Sequence, residues 1–179
     1  MTFSLVARCA RTGQFGMVIS SSSPAVAARC AHVRAGVGAV ASQNVTDPDL
    51  GPAVLDHLAQ GLSADQALAA VTTGRAFIDY RQLLVVDGRG GRAIHSGRQV
   101  LGVWAEALGV DCAAGGNLLA DAGVPAAMVA GFETASGHLG DRLPIRPLLD
   151  RTSDHGRRRR ARPPPRSHRR SRSLLPRPS

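Results

Sequence analysis

A chain of 179 residues, 44% of them apolar, is long enough for one domain with its own core, and its composition is that of an ordinary soluble protein. The formal charge of +9 would point to a nucleic-acid partner if it were evenly spread, but residues 151–179 hold eleven arginines against one acid, Asp154, and the first 150 residues are nearly neutral. No apolar run approaches the roughly 20 residues that a spanning helix needs, and no basic flank precedes a long apolar stretch at the start, so no membrane span or secretory leader is expected and a cytoplasmic location is.

The opening Thr2-Phe3-Ser4-Leu5-Val6-Ala7-Arg8 alternates polar and apolar residues and reads as a strand; Gly16–Ser21 follows a turn-like Arg11-Thr12-Gly13-Gln14 and completes a hairpin. Ser20–Pro24 is a polar loop. Gly36–Ser42 is a third strand whose two glycines leave room for a close neighbour, and residues 44–50 are loop. Pro52 presets a helical first turn, Val54, Leu55 and Leu58 form an apolar stripe, and Gly61 can end the helix in a left-handed conformation. A second helix opens at Ser63, which has Gln66 at capping-box spacing and Ala64, Ala67, Leu68 and Val71 on one face.

Gln82–Val86, the turn Asp87-Gly88-Arg89-Gly90-Gly91 and Arg92–Ser96 predict another hairpin, with Asp87-Gly88 as turn chemistry and no catalytic content. Val110–Ala114 adds a strand, and Leu118 to about Thr134 is expected to be helical with a break near Gly123-Val124-Pro125. Blocks of strands and helices in this order indicate an α+β class. Cys9, Cys30 and Cys112 are too few and too scattered for a disulfide framework or zinc site and read as small buried hydrophobes. His32, His57 and His95 form no metal-ligand spacing, and no cofactor is expected.

Four blocks in this order, Thr2–Arg8, Arg34–Gln43, Thr46-Asp47-Pro48 with Gly51, and Gly116-Asn117-Leu118-Leu119-Ala120, resemble the bacterial and archaeal domain-of-unknown-function family numbered 1028. That resemblance covers about residues 2–143. It implies the αββα four-layer sandwich of N-terminal-nucleophile hydrolases, here incomplete at its C-terminal end, and a small-molecule substrate with an amide or related acyl bond.

In that superfamily a Thr, Ser or Cys that begins the mature chain attacks a carbonyl, and its own α-amine removes the proton. An α-amine titrates near 7.7–8.0 and is partly free base at neutral pH. Thr2 meets this requirement once Met1 is removed; alternatively it simply begins a strand, where threonine is common. Ser20 and Ser21 fall where the superfamily places polar groups near the nucleophile, and with Gln43 they are the candidate substrate-binding residues. Arg34 stands about where related enzymes carry a lysine. It can supply positive charge but not act as a base, and a salt-bridged surface role is the alternative. Asn117 either donates to the oxyanion of a tetrahedral intermediate or caps a helix ahead of Leu118. Gln43 either binds substrate or ends a strand.

Beyond Leu143 the resemblance fades into Arg157–Arg160, Pro163–Pro165 and Ser167–Arg172, a stretch with almost nothing to bury. All 22 basic residues are arginine, and the composition of residues 144–179 is that of a GC-rich gene read out of frame, so a disordered tail produced by a frameshift is expected. Three functions compete: an acyl hydrolase using Thr2, a non-catalytic binding or structural protein, and non-specific nucleic-acid binding through the tail. The last rests on charge alone. A homodimer is expected by analogy with the superfamily.

Overall fold

A computed structural model describes residues 1–143; the Arg-rich stretch of residues 144–179 lies outside them. Strand β1 (Thr2–Arg8) turns back at Gly13, whose φ is +70°, into β2 (Phe15–Ser21). Helix α1 (Ala27–Cys30) runs straight into β3 (Ala31–Arg34), and β4 (Gly38–Asn44) follows. Helices α2 (Leu50–Ala59) and α3 (Ala64–Thr72) lead through a 3-10 turn at Ile78–Tyr80 to the hairpin of β5 (Arg81–Asp87) and β6 (Arg92–Ser96). A second hairpin, β7 (Ala105–Gly109) and β8 (Cys112–Asn117), precedes α4 (Val124–Thr134) and α5 (Leu139–Arg142).

The strands form two four-stranded sheets, β2-β1-β8-β7 and β3-β4-β5-β6, with every pairing antiparallel. Side chains alternate across each strand, and that alternation sets the layers. From β1, Phe3, Leu5 and Ala7 join Cys112 and Ala114 of β8 against Met128, Val129 and Phe132 of α4. Val6 faces the other way and meets Ala39, Ala41, Leu84 and Val86 of the second sheet, together with Ala113. The far side of that sheet, through Val40, Leu83 and Val85, packs on Val54, Leu55 and Leu58 of α2 and Ala67, Leu68 and Val71 of α3. The layer order is helix, sheet, sheet, helix, an α+β arrangement.

Local chemistry explains the two middle helices. Ser63 and Gln66 make both bonds of a capping box at the start of α3. Asp87 contributes more than a turn: it is buried, its Oδ2 accepts from the Ala64 N–H at 3.1 Å, and its Oδ1 accepts from the N–H groups of Arg89 and Gly91, each at 2.8 Å. One carboxylate thus ties the β5–β6 turn to the first turn of α3. In α2, Gly51 lets the helix lie on the ring of His32, because a Cβ there would overlap the imidazole.

Three expectations need correction. The third strand begins at Gly38, since Gly36, with φ +73°, belongs to the turn; β3 lies before it and was not anticipated. The close neighbour of its glycine is Leu58 of α2 together with the Val86 carbonyl. Helix does not start at Leu118. The N–H groups of Leu118 and Leu119 donate to the carbonyls of Leu101 and Val103 at 2.9 and 2.8 Å, and Leu118 has φ +52°, so Leu118–Gly123 is a connection and the helix starts at Val124. Strand β7, an edge strand with two exposed positions, was also missed.

Candidate active site

Thr2 opens β1 on the face that carries Ser4 and Val6, toward the space between the sheets. Its cross-strand partners are Ser21 on β2 and Asn117 on β8. The Ser22 N–H donates to the Met1 carbonyl at 3.1 Å. Met1 and Ser22 are therefore the hydrogen-bonded pair of the antiparallel ladder, and Thr2 and Ser21 form the adjacent, closer pair in which side chains approach. The Thr2 Oγ1 and Ser21 Oγ accordingly lie 2.8 Å apart. By the same alternation the Thr2 nitrogen points to the β8 side, toward Asn117. The Met1 ammonium donates to Ser22 Oγ at 3.3 Å.

Asn117 is the last residue of β8, only 2% exposed, and its Nδ2 has no hydrogen-bond partner. It is not a helix cap, a position that Gly123 holds for α4. Gly115 and Gly116 bring it there: a Cβ on Gly115 would press on Leu84 of the opposite sheet, and one on Gly116 would crowd the Thr2 carbonyl and the Leu119 side chain. The glycine pair thus lets β8 lie close to both β1 and the second sheet.

The other candidates divide. Ser21 joins Thr2, whereas Ser20 pairs with Phe3 and so shares the opposite face of the sheet. Arg34 does not join them. It lies on the face of β3 that meets α2, where its guanidinium donates to the Leu55 carbonyl at 3.4 Å and pairs with Asp56 at 2.8 Å. Gln43 faces the interior but is fully buried with both ends of its amide engaged, Oε1 accepting from Ser4 Oγ at 2.7 Å and Nε2 donating to Gln82 Oε1 at 2.8 Å. Its amide is held in the buried run between Ser4 and Gln82.

Ser4, Gln82, Ser96 and Glu106 were not singled out from the sequence. Gln82 Nε2 donates to Ser96 Oγ at 3.0 Å, and Ser96 Oγ donates to Glu106 Oε2 at 2.6 Å. The available signal was polar residues at inward-facing positions of apolar strands, Ser4 after Thr2 on β1 above all.

Among the described residues no group of three or more His, Cys, Asp or Glu is placed to hold a metal ion, and no helix is long and apolar enough to cross a membrane. The three cysteines are buried and free, and burial, with Glu133 nearby, pushes the Cys112 thiol up to about 11. One surface cleft lies between the Asp87 turn and α2 and another beside Arg8, Asp111 and Glu133, and Thr2 lines neither.

The family model described as "Family of unknown function (DUF1028)" matches residues 2–156. The chain belongs to DUF1028. That match runs past Leu143, where the resemblance read from the sequence ends. The fold is also similar to the crystal structure of the DUF1028 protein SPO2555 from Silicibacter pomeroyi, at 28% sequence identity and a TM-score of 0.77, over 87% of this chain and 70% of that one. Among curated proteins nothing matches.

Proposed function

We propose that this protein is an N-terminal-nucleophile hydrolase of an amide or related acyl bond in a small substrate, with Thr2 as its nucleophile after Met1 is removed. The observation that carries the reading is the trio at one end of β1: a threonine in position two, a serine hydroxyl 2.8 Å from its Oγ1, and opposite it a buried asparagine amide with an uncommitted donor. The order of layers also fits the αββα sandwich of that superfamily.

In this scheme the Thr2 Oγ1 bonds to the substrate carbonyl carbon while its proton passes to the freed α-amine. Ser21 orients the hydroxyl. Asn117 Nδ2 donates to the oxyanion, an interaction whose removal in comparable enzymes costs about 10²–10³ in rate. The amine then returns the proton to the leaving nitrogen as the carbon–nitrogen bond breaks, and water hydrolyses the ester left on Thr2. Arg34 has no part in this, since it faces α2. Loss of Met1 opens the position it occupies beside Ser22, so space at Thr2 belongs to the processed chain.

Intact-mass spectrometry of the purified protein, followed by a β-lactone probe and peptide mapping, tests the reading. The expected result is a chain lacking Met1 that takes one label on Thr2, with none on Thr2→Ala. Retention of Met1, or equal labelling of Thr2→Ala, overturns it in favour of a non-catalytic protein whose ligand binding is indifferent to Thr2.

A further inference from the structure

Strand register sets Thr2, Asn117 and Trp104 in one row. Thr2 pairs with Asn117 across β1 and β8, and Ala105, the first residue of β7, pairs with Gly116, so Trp104 continues the β7 register level with Asn117. Residues in one cross-strand row share a face, and strands lie about 4.8 Å apart, which puts the Trp104 backbone about 10 Å from that of Thr2. The row thus ends in an aromatic side chain that is partly open to solvent.

Trp104 belongs to an apolar rim. Val45, Tyr80, Leu101, Val103, Trp104 and Leu118 are each 36–52% exposed, and hydrogen bonds join the segments that carry them. The Val45 N–H donates to the Tyr80 carbonyl at 3.4 Å. Asn44, left-handed at φ +77°, donates through Nδ2 to the same carbonyl and accepts through Oδ1 from the Leu101 N–H at 3.3 Å. The Leu101 and Val103 carbonyls in turn accept from Leu118 and Leu119. The stretch from Leu101 to Trp104 therefore bridges the ends of the two sheets, from Asn44 of β4 to Leu118 after β8.

Leu118 ties this rim to the Thr2 site. It follows directly on Asn117, whose Nδ2 is unpartnered, with Cα atoms about 3.8 Å apart. Its φ of +52° is one that a branched side chain adopts only at a cost, and strain of this kind clusters at ligand sites. The Leu118 side chain lies on Gly102, where a Cβ would come within 2.8 Å of its Cδ2. Other directions away from Thr2 are polar or closed. On the β2 side stand the hydroxyls of Ser21 and Ser22, and inward Ser4 and Gln43 are fully buried and bonded to each other. A hydrocarbon chain leaving a carbonyl held at Asn117 gains apolar contact over the Leu118 rim.

We propose that this rim is the acyl subsite of the Thr2 site, and that the substrate is an amide whose acyl part is a hydrocarbon chain laid over Leu118, Leu101 and Trp104. The proposal rests on the Thr2 reading for the bond that is cleaved. The acyl part stays on the carbonyl carbon while the amine leaves, so a chain held here is held through both formation and hydrolysis of the Thr2 ester.

The test uses the full-length chain and two measurements. The first is the rate at which Thr2 is labelled by two β-lactones, one with a hexyl and one with a methyl substituent beside the carbonyl. The second is the emission of Trp104, the single tryptophan of the chain, as octanamide or acetamide is added to the wild type and to Thr2→Ala. A methylene moved out of water is worth about fourfold, so even partial burial of the longer chain should make the hexyl lactone about tenfold faster or more. Octanamide should shift the emission of both proteins, and acetamide of neither. Leu118→Asn removes the apolar side chain and suits the left-handed backbone, so it should lose most of the preference and weaken octanamide binding while melting no lower than the wild type. Val110→Asn, in the β7–β8 turn at the far end of that hairpin, should keep both.

Equal labelling by the two lactones, full preference in Leu118→Asn, or emission indifferent to octanamide overturns the proposal. A shift of Trp104 emission with protein concentration alone, lost in Leu118→Asn, would assign the rim to a second copy of the chain and overturn it too. Octanamide binding as expected with no label on Thr2 would sink the hydrolase reading and leave the apolar site standing.

Discussion

Thr2 and Asn117 face one another across the β1–β8 ladder, and while the Thr2 hydroxyl is paired with Ser21, the Asn117 Nδ2 is buried without a partner. An unsatisfied buried donor costs about 1–3 kcal/mol, so removing this one need not weaken the fold. Asn117→Ala is therefore expected to leave the thermal midpoint unchanged or raised, while Thr2 labelling by a β-lactone falls about 10²-fold or more. A loss of stability with labelling intact would mean that the amide serves the fold.

Gly51 and His32 make a second pair whose geometry depends on a missing side chain. Gly51→Ala should cost about 1–3 kcal/mol in a urea unfolding series, because neither the helix nor the strand beneath it can retreat without opening the core. The double variant Gly51→Ala, His32→Ala should recover much of that loss. If the single variant unfolds at the wild-type urea midpoint, α2 does not rest on the imidazole.

His32 also carries a pH dependence. Burial holds its pKa below the usual imidazole value, and its Nε2 is buried without a partner. Since the unfolded chain takes up this proton more readily than the folded one, His32 contributes nothing unfavourable above about pH 6.5, and stability is lost as pH falls below that value toward the folded pKa. Melting curves between pH 7.5 and 5 should show a decline that is reduced in His32→Gln. Equal slopes for the two proteins would assign the decline to other groups.

Asp87 joins β5 to α3 through three backbone N–H groups. Asp87→Ala strands the buried Ala64 N–H and the part-buried N–H groups of Arg89 and Gly91, and a loss of about 2 kcal/mol or more is expected, against a smaller one for Asp87→Asn, which keeps one carbonyl oxygen. Hydrogen exchange at Ala64, Arg89 and Gly91 should rise together in the alanine variant. Independent responses at these amides would show that the carboxylate does not couple the two elements.

The elements read correctly from the sequence are those whose signals are local. The Thr2–Ser21 hairpin, the Ser63–Gln66 capping box and the hairpin around Asp87 each depend on residues within a few positions of one another. The elements missed are those held by distant partners. Leu118 and Leu119 sit in an apolar run that suits a helix, but their N–H groups are taken by Leu101 and Val103, and β3 is four residues long and exposed at its end, with its pairing to β4 as its main support.

For the candidate site the division is similar. Thr2 and Asn117 were recognisable as residue types in matching blocks, and Ser21 by its place at the end of a strand. Arg34 was misplaced because chemistry can be read from a residue letter but the face of a strand cannot until its register is known, and here the register turns Arg34 toward Asp56.

Taken alone, the amino-acid order determined the class of the fold, the nearly neutral body, the middle helices with the capping box of α3, and a threonine at the start of the first strand. Only the assembled sheets decided that its hydroxyl meets Ser21 and Asn117, that Gln43 is closed off between Ser4 and Gln82, and that Glu106 stands at the end of the same run. The reason is physical: turns and caps form within a few residues, whereas two stacked sheets bring together side chains far apart in the chain, at separations set by backbone pairing that no short stretch of sequence contains.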